Sequence, residues 1–220
     1  MPYEQLASWR SVLLAAERDL LLRYSQRLRP DGLVVGTAGN LSARKDELVA
    51  ITPSSFDYDA LTPELICVVG LDGNVVEAEL APSSELPMHL AVYSRTGAGA
   101  VAHTHAPYAT ALSTLVDEIP PIHYLLAEFG GPIRVAPYAT YGTAGLAQNA
   151  ADALTGRNAV LLANHGTLAV GDSLERAYAR SVLLEWLAAL YYRARLAGEP
   201  RLLPLEEIER VAEKLRAPMP

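Results

Sequence analysis

With 220 residues, half of them hydrophobic, the chain is long enough to bury one sizeable core and reads as a single domain over 1–220. A formal net charge of −7 and a pI near 5.2 argue against nucleic acid as a partner, because phosphate backbones are bound through clustered Lys and Arg, although local groups can still bind a small anion. One cysteine excludes an intrachain disulfide and suits a reducing compartment, while the lack of any run near roughly 18 apolar residues, with Glu4 and Arg10 where a signal peptide needs an apolar region, argues for a cytoplasmic protein without a membrane partner.

Residues 4–28 are expected to form a helix, with Leu6, Trp9, Val12, Leu13, Ala16, Leu20 and Tyr24 near helical spacing on one side. A glycine-containing loop, Gly36 to Gly39, comes next. Two short strands, 40–44 and 48–52, are joined by a polar turn at Lys45 to Glu47, and 66–77 reads as a hairpin through Asp72-Gly73-Asn74. Cys67 lies in the apolar run Leu65 to Val69 and reads as a buried hydrophobe. Further helices are expected at 84–95, 107–115, 121–129, 143–154, 173–197 and 205–215, and further strands at 98–103, 133–136, 159–163 and 167–170. Asp172 or Ser173 can cap the long helix, whose first turn carries Glu175. The fold class expected from this order is α/β, a central, mostly antiparallel sheet flanked by helices on both faces.

Three of the five histidines fall where they can converge on one divalent metal. His103-Thr104-His105 follows the apolar run Ala98 to Ala102, and a strand sends side chains i and i+2 to the same face. A second buried-strand run, Ala159 to Ala163, delivers His165 just ahead of Gly166, which lets the backbone turn away. Neutral imidazoles suit Zn²⁺, and three protein ligands leave a fourth position open, the arrangement of a catalytic site. Taken singly, each histidine also reads as a hydrogen-bonded core residue.

Three loops carry small polar groups. Gly36-Thr37-Ala38-Gly39-Asn40 offers exposed amides, a hydroxyl and a side-chain amide, without the spacing of a dinucleotide site or the lysine of a P-loop. Thr52-Pro53-Ser54-Ser55 ends a strand with two hydroxyls, and Pro82-Ser83-Ser84-Glu85 starts a helix with two more. Hydroxyls and helix-terminal amides bind phosphate without net basic charge, and each loop alone also reads as a turn or cap. Glu85, beside such a phosphate, can ligate a metal held by the histidines and accept a proton once substrate displaces it; its other reading is a carboxylate complementing the helix dipole. His89, four residues on, supports the site or simply packs.

Gly36 to Ser42, Thr52-Pro53-Ser54, Pro82 to Glu85, His103-Thr104-His105, Pro121-Ile122-His123-Tyr124, Ala136 to Thr143 and Asn164-His165-Gly166 together resemble, in order and over nearly the whole chain, the zinc-dependent class II aldolase and adducin-head family. The resemblance implies reversible cleavage of a ketose 1-phosphate, L-fuculose 1-phosphate foremost, to dihydroxyacetone phosphate and an aldehyde such as L-lactaldehyde. It implies one Zn²⁺ per chain on His103, His105, His165 and Glu85, and a phosphate pocket at Thr37, Asn40, Ser54, Ser55, Ser83 and Ser84. Glu85 would carry the proton at C3. Tyr124 would be the acid and base at the aldehyde oxygen, reaching an active site at the interface with the next subunit of a homotetramer. No Schiff-base lysine is needed, and Lys45 and Lys214 are the only lysines. Two departures stand out: Ser55 occupies a position usually held by glycine, and the tail Glu213 to Pro220 lacks a tyrosine. Sugar-phosphate 4-epimerases, a methylthioribulose-1-phosphate dehydratase and the non-catalytic adducin head share the family; Ile122-His123-Tyr124 favours an aldolase, and the retained ligand set speaks against an interaction module.

Overall fold

A computed structural model describes residues 13–216. The start of the expected first helix, with Leu6, Trp9 and Val12, lies outside the described residues, as does the end of the tail, 217–220. The first helix within them is α1 (Ala15–Leu28). Two hairpins come after it: β1 (Asn40–Lys45) with β2 (Leu48–Ile51), then β3 (Cys67–Gly70) with β4 (Val75–Glu77), the latter turning at Gly73 with φ +84°. Next come α2 (Leu86–Thr96), β5 (Ala100–Thr104), α3 (Pro107–Ser113), β6 (Glu118–Ile119) and β7 (Ile133–Ala136). The chain continues through α4 (Ala144–Ala153), β8 (Ala159–Leu162), β9 (Gly166–Gly171), the 24-residue α5 (Leu174–Ala197) and α6 (Leu205–Arg216). Ser173 caps α5 by accepting a hydrogen bond from the Arg176 amide.

The strands make one sheet in the order β4-β3-β2-β1-β5-β9-β8-β7-β6. Every neighbouring pair is antiparallel except β7 and β8, which agrees with the fold class expected from the sequence. Alternation along the strands assigns the two faces. Leu41, Ala50, Ala100 and Ala102 pack with α1 and the beginning of α5. Ala159, Leu161 and Ala169 pack with α3 and the middle of α5. Val49, Val101, Val160, Leu162, Leu168 and Val170 point the other way, into α2 and α4.

This alternation positions the site. His103 shares its face of β5 with Val101 and therefore looks toward α2, while Asn40 of β1 is its register partner across the strand pair. Asn40 and Ser42 flank Leu41 and face α2 as well.

Two expectations are corrected by the structure, and one short strand is added. Residues 121–129 do not form an α-helix: the chain stays open through Pro120 and Pro121 and then makes a 3-10 helix, Tyr124–Phe129, stopped by Gly130 at φ +79°. A residue before proline is driven to extended backbone, so the Pro120-Pro121 pair delays the coil, and His123 caps the 3-10 helix by accepting from the Leu125 amide. Two-residue β6 was not expected, being too short for any periodic signal. At the β8–β9 turn, the left-handed residue is Asn164 at φ +54°, not Gly166; asparagine tolerates that region. Gly166 is required for a different reason: a Cβ there would sit 2.4 Å from the Thr104 carbonyl oxygen, so any side chain would force β9 away from the end of β5.

Candidate active site

His103 is the next-to-last residue of the wholly buried β5, His105 lies just past the strand, and His165 sits in the tight turn between β8 and β9. The three rings form a nearly equilateral triangle, with centroids 4.8, 4.9 and 4.9 Å apart. Glu85, at the N-cap of α2 rather than within its first turn, closes the group from above. Its Oε2 lies 3.0 Å from His103 Nε2 and its Oε1 3.4 Å from His165 Nε2. One ligand atom from each of Glu85, His103, His105 and His165 falls within 4.8 Å of all the others.

The donors and acceptors of this group call for a cation. His103 Nδ1 lies 2.8 Å from the Thr167 carbonyl, to which it can only donate, so in the neutral ring the lone pair is on Nε2. That lone pair faces a carboxylate oxygen and, at 2.9 Å, the Nε2 of His105. Glu85 Oε1 is buried with no hydrogen-bond partner, a costly condition for a charged oxygen unless a positive charge completes it. The three rings and the carboxylate thus fit a divalent metal by chemistry as well as by spacing.

Electrostatics agree. Burial lowers His105 to about 3, with His103 and His165 adding to the effect, and burial chiefly lowers His165 too, which keeps both rings neutral and their lone pairs available. For Glu85, burial alone would raise the carboxyl, but positive charge at His103 and His165, with the Asn40 amide, outweighs it and holds the group well below the ordinary carboxylate range; with the rings neutral, that charge is what a bound cation would supply. Fully buried His89 is also pushed down to about 3, by burial first. In metal-free protein, the unfolded state therefore takes up protons on His89 and His105 near their ordinary value while the folded state does not. Stability should then fall as pH drops below about 6.5. The urea midpoint of metal-free protein is expected to be lower at about pH 5 than at about pH 7.5; an equal midpoint would mean that these rings titrate normally in the folded chain.

A cavity of about 510 Å³ opens beside the group. Its lining gathers all six residues proposed for phosphate, Thr37, Asn40, Ser54, Ser55, Ser83 and Ser84, with Glu85, His105 and His165. No Arg or Lys is among the described residues that line it. Ser55 takes φ +52°, the left-handed region in which a residue without Cβ is unstrained; this accounts for the glycine expected there and shows what the serine must tolerate. The Asn40 side chain is largely committed elsewhere, donating to Glu85 Oε2 at 3.0 Å and facing His89 with its oxygen.

Tyr124 is not brought to this cavity. It begins the 3-10 helix, is 49% exposed, and stacks on His123 with ring centroids 4.5 Å apart, His123 in turn meeting Trp186 edge-on. The tyrosines that do line the cavity, Tyr138 and Tyr141, are not singled out by sequence reasoning, although both lie in the segment Ala136 to Thr143. A signal for them exists: two aromatics in a polar loop that leaves a strand end, 63% and 66% exposed in the structure, where burial cannot be their purpose. No helix among the described residues is long and apolar enough to cross a membrane.

Residues 19–192 match the Class II Aldolase and Adducin N-terminal domain family. Among curated proteins, a 5-deoxy-D-ribulose 1-phosphate aldolase of Bacillus thuringiensis is 42% identical over 206 residues, covering 92% of this chain and 97% of that protein. An L-fuculose phosphate aldolase of Escherichia coli is 43% identical over 188 residues, covering 84% and 87%. A solved structure of an L-fuculose 1-phosphate aldolase superposes with a TM-score of 0.89 at 44% identity, covering 92% of this chain and 97% of the other. With the family match running through the strands and turns that carry the four converging side chains, the chain belongs to the Class II Aldolase and Adducin N-terminal domain family.

Proposed function

We propose that this carbon–carbon lyase reversibly cleaves a ketose 1-phosphate with a terminal methyl group to dihydroxyacetone phosphate and a short aldehyde. L-fuculose 1-phosphate, foremost from the sequence, and 5-deoxyribulose 1-phosphate, named for the Bacillus relative, are the two instances. The observation that carries the reading is Glu85: a buried carboxylate with one oxygen unpartnered, between three imidazoles and a cavity lined by hydroxyls. A sugar hydrolase would need no such metal group beside a phosphate-sized set of neutral donors.

His103, His105, His165 and Glu85 would hold a divalent ion, zinc by the softness and geometry of the donors. When bound, the ion supplies a Lewis acid for the negative charge that develops on the dihydroxyacetone oxygens as the C3–C4 bond breaks. Thr37, Ser54, Ser55, Ser83, Ser84 and the second amide hydrogen of Asn40 anchor the phosphate through neutral donors near the start of α2, where the helix dipole favours an anion. Glu85 delivers a proton to C3 in cleavage and removes it in condensation. Tyr138, Ala139 and Tyr141 leave an apolar wall for the methyl end of the aldehyde. Tyr124 handles the proton on the C4 oxygen; because it stands exposed outside the cavity of its own chain, this role calls for a second copy of the chain, as in a homotetramer with sites at its interfaces.

Incubation with L-fuculose 1-phosphate, 5-deoxyribulose 1-phosphate, 5-methylthioribulose 1-phosphate and ribulose 5-phosphate, with and without a chelator, tests the reading. Dihydroxyacetone phosphate is expected from one or both of the first two, and only without chelator. Epimerisation of ribulose 5-phosphate or loss of water from the methylthio sugar, with no carbon–carbon cleavage of any of the four, would overturn it.

A further inference from the structure

Behind Glu85, four buried side chains form a continuous line that metal binding alone does not explain. Glu85, His89 and Tyr93 succeed one another at four-residue spacing down one side of α2, against Asn40 and Ser42 at two-residue spacing on β1. Asn40 Nδ2 lies 3.0 Å from Glu85 Oε2, and Asn40 Oδ1 lies 2.6 Å from His89 Nε2. Ser42 Oγ is 2.6 Å from His89 Nδ1 and 2.6 Å from the Tyr93 hydroxyl. His89 and Ser42 are wholly buried, Tyr93 and Asn40 nearly so.

Chemistry fixes the direction of every link. An ionised carboxylate only accepts, so Asn40 gives it an N–H and turns its oxygen to His89. That oxygen needs a donor, so the His89 proton is on Nε2 and Nδ1 must accept from Ser42. The serine oxygen then accepts from Tyr93. All four donors point toward Glu85. Burial supports each state: it holds His89 neutral and raises the Tyr93 phenol, so that its hydroxyl keeps its proton.

We propose that Tyr93, Ser42, His89 and Asn40 are positioning residues: a one-way hydrogen-bond relay that grips Glu85 by Oε2 and so reserves Oε1 as the oxygen that exchanges the substrate proton. Rotation about the last bond of a glutamate is soft and roughly two-fold, so an untethered carboxylate would present either oxygen. Here Oε2 is held by Asn40, and Oε1, the buried oxygen without a hydrogen bond that a bound cation would meet, is the one set free when substrate takes its place. Aligned donors also reinforce one another, which stiffens the grip. Such a relay has a purpose only if Glu85 is the base, the reading on which it rests.

The test uses the metal-loaded enzyme and exchange of deuterium from solvent into C3 of dihydroxyacetone phosphate. His89→Leu is expected to slow exchange by about 100-fold and Tyr93→Phe by about 10-fold, the range over which supporting partners of metal ligands act. KM for dihydroxyacetone phosphate and the metal content should stay unchanged. His89→Gln, which can still offer an N–H to Asn40, should recover most of the loss. Independently of turnover, protein labelled with nitrogen-15 histidine should show His89 as the neutral Nε2–H tautomer. Unchanged exchange in Tyr93→Phe, losses that track KM or metal content, or an Nδ1–H tautomer would each overturn the relay. Glu85→Gln separates the two levels: if it abolishes exchange while the relay variants do not matter, the relay alone fails, whereas exchange retained in Glu85→Gln removes the base and the relay with it.

Discussion

Glu85→Gln is expected to keep the metal and to lose proton exchange at C3 of dihydroxyacetone phosphate by about 10²- to 10⁴-fold, the usual worth of a positioned acid–base group. The substitution preserves shape. Asn40 can still donate to the remaining carbonyl oxygen where it now meets Oε2, and His103, His105 and His165 remain as three ligands, enough for a site of the open kind. Only the proton-accepting oxygen is gone. Metal content of the purified variant, measured beside its exchange rate, separates this outcome from simple collapse of the site. One ion per chain with exchange intact would remove Glu85 from the base role; loss of the ion would make it chiefly a ligand.

Most of the site is legible in the sequence because its residues sit at strand ends and turns, where short motifs have mechanical meaning. His103 and His105 follow from strand alternation, which the chain continues one residue past the end of β5, bringing the two Nε2 atoms to 2.9 Å. His165 is legible too, although for a partly mistaken reason: Asn164 makes the turn, and Gly166 is there to let β9 approach Thr104. Local sequence does not report such a close approach, since the clashing carbonyl is far away in the chain. The same limit hides the role of His89. Its spacing from Glu85 is visible, but its bonds to Asn40 and Ser42 exist only because β1 lies under α2. The 3-10 helix at Tyr124–Phe129 reads as α-helix because apolar spacing outweighs the Pro120-Pro121 pair that precedes it. Tyr138 and Tyr141 escape notice because a loop has no period to argue from.

Tyr124→Phe is expected to cut aldol cleavage by about 10²- to 10⁴-fold and to leave proton exchange into dihydroxyacetone phosphate nearly untouched, since that half reaction has no C4 oxygen to protonate. Equal loss of both would place Tyr124 with the dihydroxyacetone half instead. Intact cleavage would point to Tyr141, which lines the cavity of its own chain. The position of Tyr124, exposed and stacked on His123 away from that cavity, makes a sharper demand. If it serves the site of a neighbouring copy, then Glu85→Gln and Tyr124→Phe chains, each nearly inactive, should regain activity when unfolded, mixed and refolded together. In a cyclic assembly, sites that pair a Glu85 from one variant with a Tyr124 from the other are whole, about a quarter of the total in a random mixture. A mixture as inactive as its parents, with mixed oligomers demonstrated by mass, would put both residues to work on the same chain.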